Sequence, residues 1–398
     1  MIKLVVSRVY QRSVFFGLIY PWKRKRYMIR RLASYRSCGE APSRNDYNKT
    51  HMEMKMPIKV DKYGSLKMSL ISFLAMCAVV SWHIAIGSRV LKRWLAPIFT
   101  VWSVPWFFFV SGVFFVYSIQ KVSWGRFVIG KVRSLLIPYV AWCVLGVAIL
   151  TLMGQDIPLD PSAVFALDRL HPVGDHPMWY IRSLMGIFTI ALPVWCLSDR
   201  VLESGWVQRS VFAGGLMITS IVLQKLLGVD LHFGPGSSLY YFLIGVVFSE
   251  KVVRFPMLPG LNARKRLYLG LTALLVAMFI RGIWFAMGYD YFKMGGTLVA
   301  NVSVLVFMFA LLALMDFKPV IDFGWRILGR FVKYSSFVYM VHWIFLGSLV
   351  DLVRKLGVPP DVVYIGSSFI VPFLFCFLGA ILRRCIPNVY FVLTGNRG

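Results

Sequence analysis

The chain has 398 residues, of which 58% are hydrophobic, 16% are aromatic and only 15% are charged. Soluble globular proteins usually contain about 45–50% apolar and about 25% charged residues, so the composition argues against a soluble enzyme, a disordered chain or a disulfide scaffold. A net charge of +27 often indicates a nucleic-acid partner. Here, however, the apolar residues fall in blocks of about 18–20, the length that crosses a bilayer core of about 30 Å. The sequence therefore predicts an all-α, polytopic transmembrane helical bundle with no nucleic-acid partner.

Residues 1–66 differ from the rest of the chain because they are strongly basic and contain only one short apolar patch, around Phe15. The patch is too short to span a membrane, and the segment lacks the features of a signal peptide. Two interpretations remain open. The segment is either a basic cytoplasmic tail, disordered or lying on the membrane, or an upstream extension from a wrongly chosen start, since Met54, Met56 and Met68 all precede the first span. No function is predicted for it.

The transmembrane domain is predicted to cover residues 67–385, followed by a cytoplasmic C-terminal tail at 386–398. About ten candidate spans occur in it, at 69–87, 99–119, 134–152, 178–197, 209–226, 236–250, 267–285, 296–315, 331–350 and 364–383.

The charges in the loops predict the orientation of these spans. Lys and Arg concentrate in loops 120–133, 251–266 and 316–330, whereas loop 153–177 is acidic. Because positive loops stay in the cytoplasm, the pattern predicts an N-in and C-in protein of the plasma (inner) membrane. The basic loops are expected to contact membrane lipids. The short loop that contains Arg89 disagrees, but the majority of the charges favours this topology.

Of the ionisable side chains inside predicted spans, His83, Arg182 and His342 are the site candidates, whereas Lys225 closes its span and can extend to the interface. Such groups are costly in lipid, so each is a candidate site residue. Imidazole is suited to proton transfer near neutral pH. A lone histidine in a membrane helix is nevertheless more often a packing element, and spacing alone does not show that the three converge. The six cysteines have no metal-ligand spacing, so no metal is predicted.

Five short motifs occur in order along the predicted spans. They are ISFLA at 71–75 with an apolar run ending at His83, VPWFFFVSG at 104–112, KVRSLLIPY at 131–139 with Trp142 following, MWYI at 178–181, and SSFVYMVH at 335–342. In these motifs and their order, the chain resembles the acyltransferase-3 family of integral-membrane acyltransferases over roughly residues 60–385. Two positions of the first span depart from the family pattern: Ser69 replaces an aspartate that the family often has, and Ser72 replaces an arginine. The family carries an arginine eleven residues before the first histidine, where this chain has Ser72, and Lys67 or Arg182 is a candidate to supply the missing charge.

The resemblance implies transfer of an acyl group, most often acetyl from cytoplasmic acetyl-CoA, to a hydroxyl of a cell-surface or lipid-linked glycan. It implies His83 as the general base. The remaining site residues that it implies are Ser111, Trp179 and Arg182 as donors to the developing oxyanion, Lys131 and Arg133 as ligands of the CoA phosphates, and Tyr339 and His342 as supporting groups.

Each of these assignments has a structural alternative. Lys131 and Arg133 could be ordinary positive-inside charges, Ser111 with its neighbouring glycine could allow close helix packing, and Tyr339 with His342 could be a hydrogen-bonded structural pair. At the level of function, the alternative is an exporter of a glycan or lipid-linked sugar on the same scaffold without catalysis. A membrane sensor or partner-binding protein is a third, weaker hypothesis. The scarcity of acidic residues within the spans argues against a proton-driven pump.

Overall fold

The computed structural model describes residues 61–84, 99–152, 154, 178–201, 206–227, 238–287 and 298–395. The secondary structure of these residues is helical. The α-helices are α1 Lys62–His83, α2 Ser103–Lys121, α3 Trp124–Lys131, α4 Ile137–Leu152, α5 Trp179–Val201, α6 Trp206–Leu227, α7 Ser238–Val252, α8 Ala263–Ala286, α9 Leu298–Leu314, α10 Lys318–Val332, α11 Ser335–Lys355, α12 Pro360–Cys385 and α13 Pro387–Thr394. A π-helical segment, Val132–Leu136, joins α3 to α4. The predicted all-α class is confirmed.

Local sequence signals explain several helix boundaries. The Asp61 side chain accepts a hydrogen bond from the Tyr63 amide at 2.7 Å and so caps the start of α1. Proline occupies the first turn of α10, α12 and α13, where its missing amide proton costs no helical hydrogen bond.

Each of the ten predicted spans overlaps a helix. By length and apolar composition, six helices among the described residues are long enough to cross a membrane: α1, the continuous helix Trp124–Leu152, α5, α8, α11 and α12. A seventh span results if α9 and α10, which are bent by 92° relative to each other, form one broken span. The apolar part of α2 covers only Ser103–Ile119, and α7 has 15 residues. The transmembrane bundle is therefore confirmed, and the count of ten spans stays a prediction.

Two glycines, one on each helix, allow α2 and α7 to pack closely. A Cβ atom added at Gly112 would lie 2.0 Å from the Phe242 carbonyl oxygen, and one at Gly245 would lie 2.0 Å from the Phe109 carbonyl oxygen. Only glycine permits this contact between the two backbones, as is common between membrane helices. The packing interpretation of the Ser111-Gly112 step therefore holds for Gly112.

An aromatic cluster, centred on Phe115 of α2, continues this packing. The Phe115 ring contacts five other rings from α3, α5, α6 and α7, with centroid distances of 5.6 to 6.0 Å: Phe127, Phe188, Trp195, Phe212 and Phe242. Such stacked, tilted and edge-to-face contacts add to the burial of large apolar surfaces. The cluster fixes the relative positions of five helices.

Two segments predicted as loops contain helices. Loop 120–133 contains α3, and loop 316–330 contains α10, whose Gly324 faces the Leu70 side chain of α1. In α10 the side chain of Ile321 is buried whereas Phe323 and Arg326 are exposed. The loop prediction was wrong because an amphipathic helix with several charges is too polar to be recognised as a span, although it folds as a helix against its neighbours.

Both predicted tails include residues that the structure describes. Residues 1–60 of the N-terminal tail lie outside the described residues, and the end of this tail forms the first turn of α1. The C-terminal segment 386–398 contains α13. The Trp142 indole Nε1 donates a hydrogen bond to the Leu393 carbonyl oxygen at 2.8 Å, and Tyr390 is fully buried. This end of the chain therefore packs against the bundle through α13.

The orientation of the bundle is testable with reporter fusions. The loop charges lead us to expect that a reporter at Asp160 and a reporter at Arg254 will lie on opposite sides of the membrane. Paired alkaline phosphatase and fluorescent-protein fusions at both positions measure this directly. Signals from the same side would contradict the predicted N-in and C-in arrangement.

Candidate active site

Two histidines from distant parts of the chain meet in the structure. His83 is the last residue of α1 and is half-buried, whereas His342 lies inside α11 and is fully buried. Their ring centroids are 5.3 Å apart, with an angle of 48° between the ring planes. The structure thus brings together the predicted base and a residue predicted only as support.

The hydrogen bonds of His342 determine which nitrogen carries the proton. Its Nδ1 lies 2.7 Å from the Tyr339 carbonyl oxygen and 3.3 Å from the Val338 carbonyl oxygen. A carbonyl oxygen can only accept, so Nδ1 is the donor. In the neutral ring, Nε2 then has a free lone pair, and it has no hydrogen-bond partner among the described residues. His342 therefore presents a proton acceptor at a buried position beside His83.

A line of polar rings leads away from this histidine pair. The Tyr339 ring lies 5.8 Å from that of His342, and the Tyr180 ring lies 5.6 Å from that of Tyr339. Tyr180 Oη is in turn 3.3 Å from Ser111 Oγ. His83, His342, Tyr339 and Ser111 are thus linked in one path through Tyr180.

Tyr180 is the member of this path that the sequence analysis did not identify. It stands in the MWYI motif directly after Trp179, the residue that the family pattern implies as an oxyanion donor. Tyr180 is buried and Trp179 is half-buried. The signal that could have identified it is its phenolic hydroxyl inside a predicted span, two residues before Arg182.

The other two residues predicted from this helix point to different neighbours. The Trp179 ring packs 6.1 Å from the Phe108 ring of α2. The Arg182 guanidinium interacts electrostatically with the hydroxyl group of Tyr139 on α4. Tyr139 ends the KVRSLLIPY motif, so Arg182, which directly follows the MWYI motif, interacts with a residue of a second motif.

Lys131 and Arg133 lie where α3 passes into the π-helical segment. The Lys131 ammonium lies 5.0 Å from the centroid of the Phe127 ring and 4.5 Å from that of Phe188, within the range of cation–π attraction. The Arg133 side chain is exposed. Short π-helical segments occur frequently at functional sites, because they change the direction of the side chains that follow. Lys131 therefore has a defined aromatic setting, unlike an ordinary charge in a loop.

Ser72 lies on the same face of α1 as His83. Eleven residues of an α-helix turn through about 1,100°, within about 20° of three full turns, so the two side chains are aligned and about 16 Å apart along the axis. Ser72 is buried, and its Oγ accepts a hydrogen bond from the Trp106 indole at 3.0 Å. A neutral hydrogen bond to α2 thus occupies the position of the family arginine.

Lys67 does not supply the missing charge. It lies sixteen residues before His83, which places it about 160° around the helix, on the opposite face. Its ammonium forms an ion pair with Asp316 at 2.7 Å, and both side chains are fully buried. The second oxygen of Asp316 accepts a hydrogen bond from the Met257 amide at 2.6 Å. Of the two candidates, only Arg182 remains.

The environment of Ser72 predicts the result of restoring the family residue. Ser72→Arg would bury a cation and remove the acceptor of the Trp106 indole, so we expect a lower yield and lower thermal stability rather than higher activity. The measurement is melting temperature and acyl transfer per folded protein. Ser72→Ala is the matched control, since it removes only the hydrogen bond. An active, stable arginine variant would show that the site tolerates the family charge.

Within the part of the chain that the structure describes, no group of three or more His, Cys, Asp or Glu side chains is arranged to hold a metal ion.

Comparison with known proteins gives one finding. The family model described as an acyltransferase domain matches residues 68–382, which include both histidines, the tyrosine path and Arg133. No curated protein and no solved structure matches the chain significantly.

Proposed function

The chain belongs to the acyltransferase-3 family and is an integral-membrane acyltransferase, and from this premise we propose that it transfers an acetyl group from cytoplasmic acetyl-CoA to a hydroxyl of a cell-surface or lipid-linked glycan. The observation that carries the proposal is the histidine pair. A half-buried imidazole at a helix end lies beside a buried imidazole whose tautomer is fixed. This is an arrangement suited to general-base catalysis.

In the proposed reaction, His83 accepts the proton of the acceptor hydroxyl as its oxygen attacks the thioester carbonyl carbon. The carbon–sulfur bond then breaks, the acetyl ester forms, and the proton passes from His83 to the departing CoA thiolate. His342 Nε2 can accept a hydrogen bond from the second ring nitrogen of His83 and so orient it. A base oriented by a further acceptor is the general pattern of such sites.

The developing oxyanion requires donors. Ser111, Trp179 and Arg182 are proposed for this role, and the structure adds the hydroxyl groups of Tyr180 and Tyr339, which lie nearest to His342 along the tyrosine path. Donors fixed in a water-poor site contribute strongly to catalysis because they need little reorganisation.

Lys131 and Arg133 are proposed to bind the phosphates of CoA. Arg133 is exposed, and the half-buried Lys131 holds its ammonium against two phenylalanine rings. Cationic side chains form short, strong hydrogen bonds with phosphate oxygens.

The direct experiment uses acetyl-CoA with a radiolabelled acetyl group. Native membrane vesicles that contain the full-length protein should release free CoA thiol, and the label should appear on a glycan or glycolipid fraction of the membrane. Protein with His83→Ala is the control. Consumption of acetyl-CoA without a labelled acceptor would contradict the proposed acceptor class.

The absence of the family arginine at Ser72 keeps one alternative, export of a glycan or lipid-linked sugar without catalysis. Movement of such a sugar across proteoliposomes, with no turnover of acetyl-CoA, would favour it.

A further inference from the structure

A charged cluster that shares no residue with the histidine pair lies near the ends of three helices. It consists of Tyr117 and Lys121 of α2, Arg209 of α6, Glu250 of α7 and Arg254 just after α7. Arg209 Nη2 lies 2.9 Å from Glu250 Oε2, and Arg254 pairs with the other oxygen of this carboxylate. Lys121 Nζ lies 5.9 Å from the centroid of the Tyr117 ring. Two guanidinium groups thus share one carboxylate, and Lys121 lies near the Tyr117 ring, so the cluster has an excess of positive charge.

Two buried donors in this cluster are unused. Tyr117 Oη and Arg209 Nε have no hydrogen-bond partner within the described ranges. Tyr117 is 3% exposed and the Arg209 side chain is 7% exposed. The Tyr117 hydroxyl is within electrostatic range of Glu250, Arg209 and Arg254. Leaving a buried donor without an acceptor is costly, so two of them in one place indicate that an acceptor belongs there.

Glu250 does not fill this role. Its carboxylate oxygens pair with Arg209 Nη2 and with Arg254, and neither Tyr117 Oη nor Arg209 Nε forms a hydrogen bond with them. The missing acceptor must therefore be a further group, and the excess positive charge favours an anion. A phosphate group offers several acceptor oxygens and negative charge together, and arginine is the side chain that best matches its geometry.

We propose that this cluster binds a phosphate group, with Tyr117 Oη and Arg209 Nε as the donors that become satisfied on binding. Lys121 and Arg254 add positive charge at its edge. Phosphate can reach this site as part of CoA or as part of a phospholipid headgroup, and the same donors serve both. The inference goes beyond the proposed function, because it concerns phosphate binding whether or not acetyl transfer occurs.

The position of the site makes a CoA phosphate a sensible first probe. Phe212 follows Arg209 by one helical turn and packs on Phe115. Phe188, whose ring contacts the Lys131 ammonium, packs on the same Phe115 ring. The proposed phosphate site and Lys131 therefore flank one aromatic cluster. A donor with several phosphates could contact both.

The test uses Tyr117→Phe, which removes only the unused hydroxyl and keeps the ring. Tyr390→Phe is the matched control, because Tyr390 Oη is also buried and without a partner in the described part of the chain. Binding of CoA, 3′-dephospho-CoA and inorganic pyrophosphate to full-length protein in nanodiscs is measured by calorimetry. We expect Tyr117→Phe to weaken CoA and pyrophosphate binding by about tenfold or more, as for loss of a hydrogen bond to a charged group, and Tyr390→Phe to have no effect.

A second measurement identifies the source of the phosphate. Native mass spectrometry counts the anionic phospholipids that purified wild type and variants retain. If Tyr117→Phe retains less phospholipid while its CoA affinity is unchanged, the phosphate site is supported and its ligand is a lipid headgroup. Equal CoA affinity, equal pyrophosphate affinity and equal lipid retention would overturn the proposal and leave a hydrated structural ion pair. A wild type that binds pyrophosphate but not CoA would count against the acetyl-CoA proposal alone.

Discussion

His83→Ala should insert and fold but lose at least about a hundredfold in acyl transfer, because removal of a general base typically costs about 10²–10⁴-fold in rate. Binding of acetyl-CoA should change much less, since the phosphate contacts proposed here lie on other helices. Initial rates with labelled acetyl-CoA, at equal protein content in membranes, measure the loss.

The matched control is Ser81→Ala, two residues earlier on α1. The Ser81 hydroxyl donates only to the Cys77 carbonyl oxygen of its own helix, so its loss should leave turnover close to that of the wild type. Near-normal turnover of His83→Ala would refute its role as base and would move the export hypothesis to first place. Loss of activity together with loss of folded protein would indicate a packing role for the histidine.

The second large effect concerns the buried ion pair between Lys67 and Asp316. Lys67→Met should destabilise the protein by about 3–5 kcal/mol, because it leaves the Asp316 carboxylate buried without a counter-charge. Asp316→Leu should destabilise it similarly, because it leaves the Lys67 ammonium unpaired and also removes the acceptor of the Met257 amide.

The double variant Lys67→Met with Asp316→Leu should recover most of this stability, because replacing both members of a buried pair by apolar residues is often neutral. Melting temperatures in detergent for the four proteins form the double-mutant cycle. Lys318→Met is the control, since its pair with Asp322 is exposed and should contribute little. Additive losses in the double variant would show that the two side chains do not stabilise each other.

The fold class and most helices could be predicted from the sequence because apolar length alone determines them. The segments that were missed are amphipathic or short. Asp316 illustrates the reason, since a carboxylate between two apolar runs is read as part of an exposed loop, whereas here it pairs with a lysine 249 positions earlier. Nothing in local composition encodes such a partner.

In the candidate site, too, local features could be predicted from the sequence and contacts between helices could not. The spacing of Ser72 and His83 places them on one face of α1, because helical geometry is local. It does not show which residue faces them, and the contact with His342 depends on the packing of α1 against α11. Tyr180 was missed for a related reason. The motif indicates Trp179, whereas burial within the bundle decides which side chain lines the path from His342 to Ser111.

The close backbone packing of α2 and α7 at Gly112 and Gly245 has a consequence for biosynthesis. These residues belong to helices made far apart in time. At about 5–20 residues per second, the interval between their synthesis is roughly 7–27 s. Throughout that interval α2, whose apolar part Ser103–Ile119 is short for a membrane span, must be accommodated without its closest neighbour. Until α7 is inserted, the translocation machinery or the surrounding lipid therefore has to cover the surface of α2 that later packs on α7. A side chain at either glycine would interfere with this late assembly step rather than with the chemistry of the finished protein.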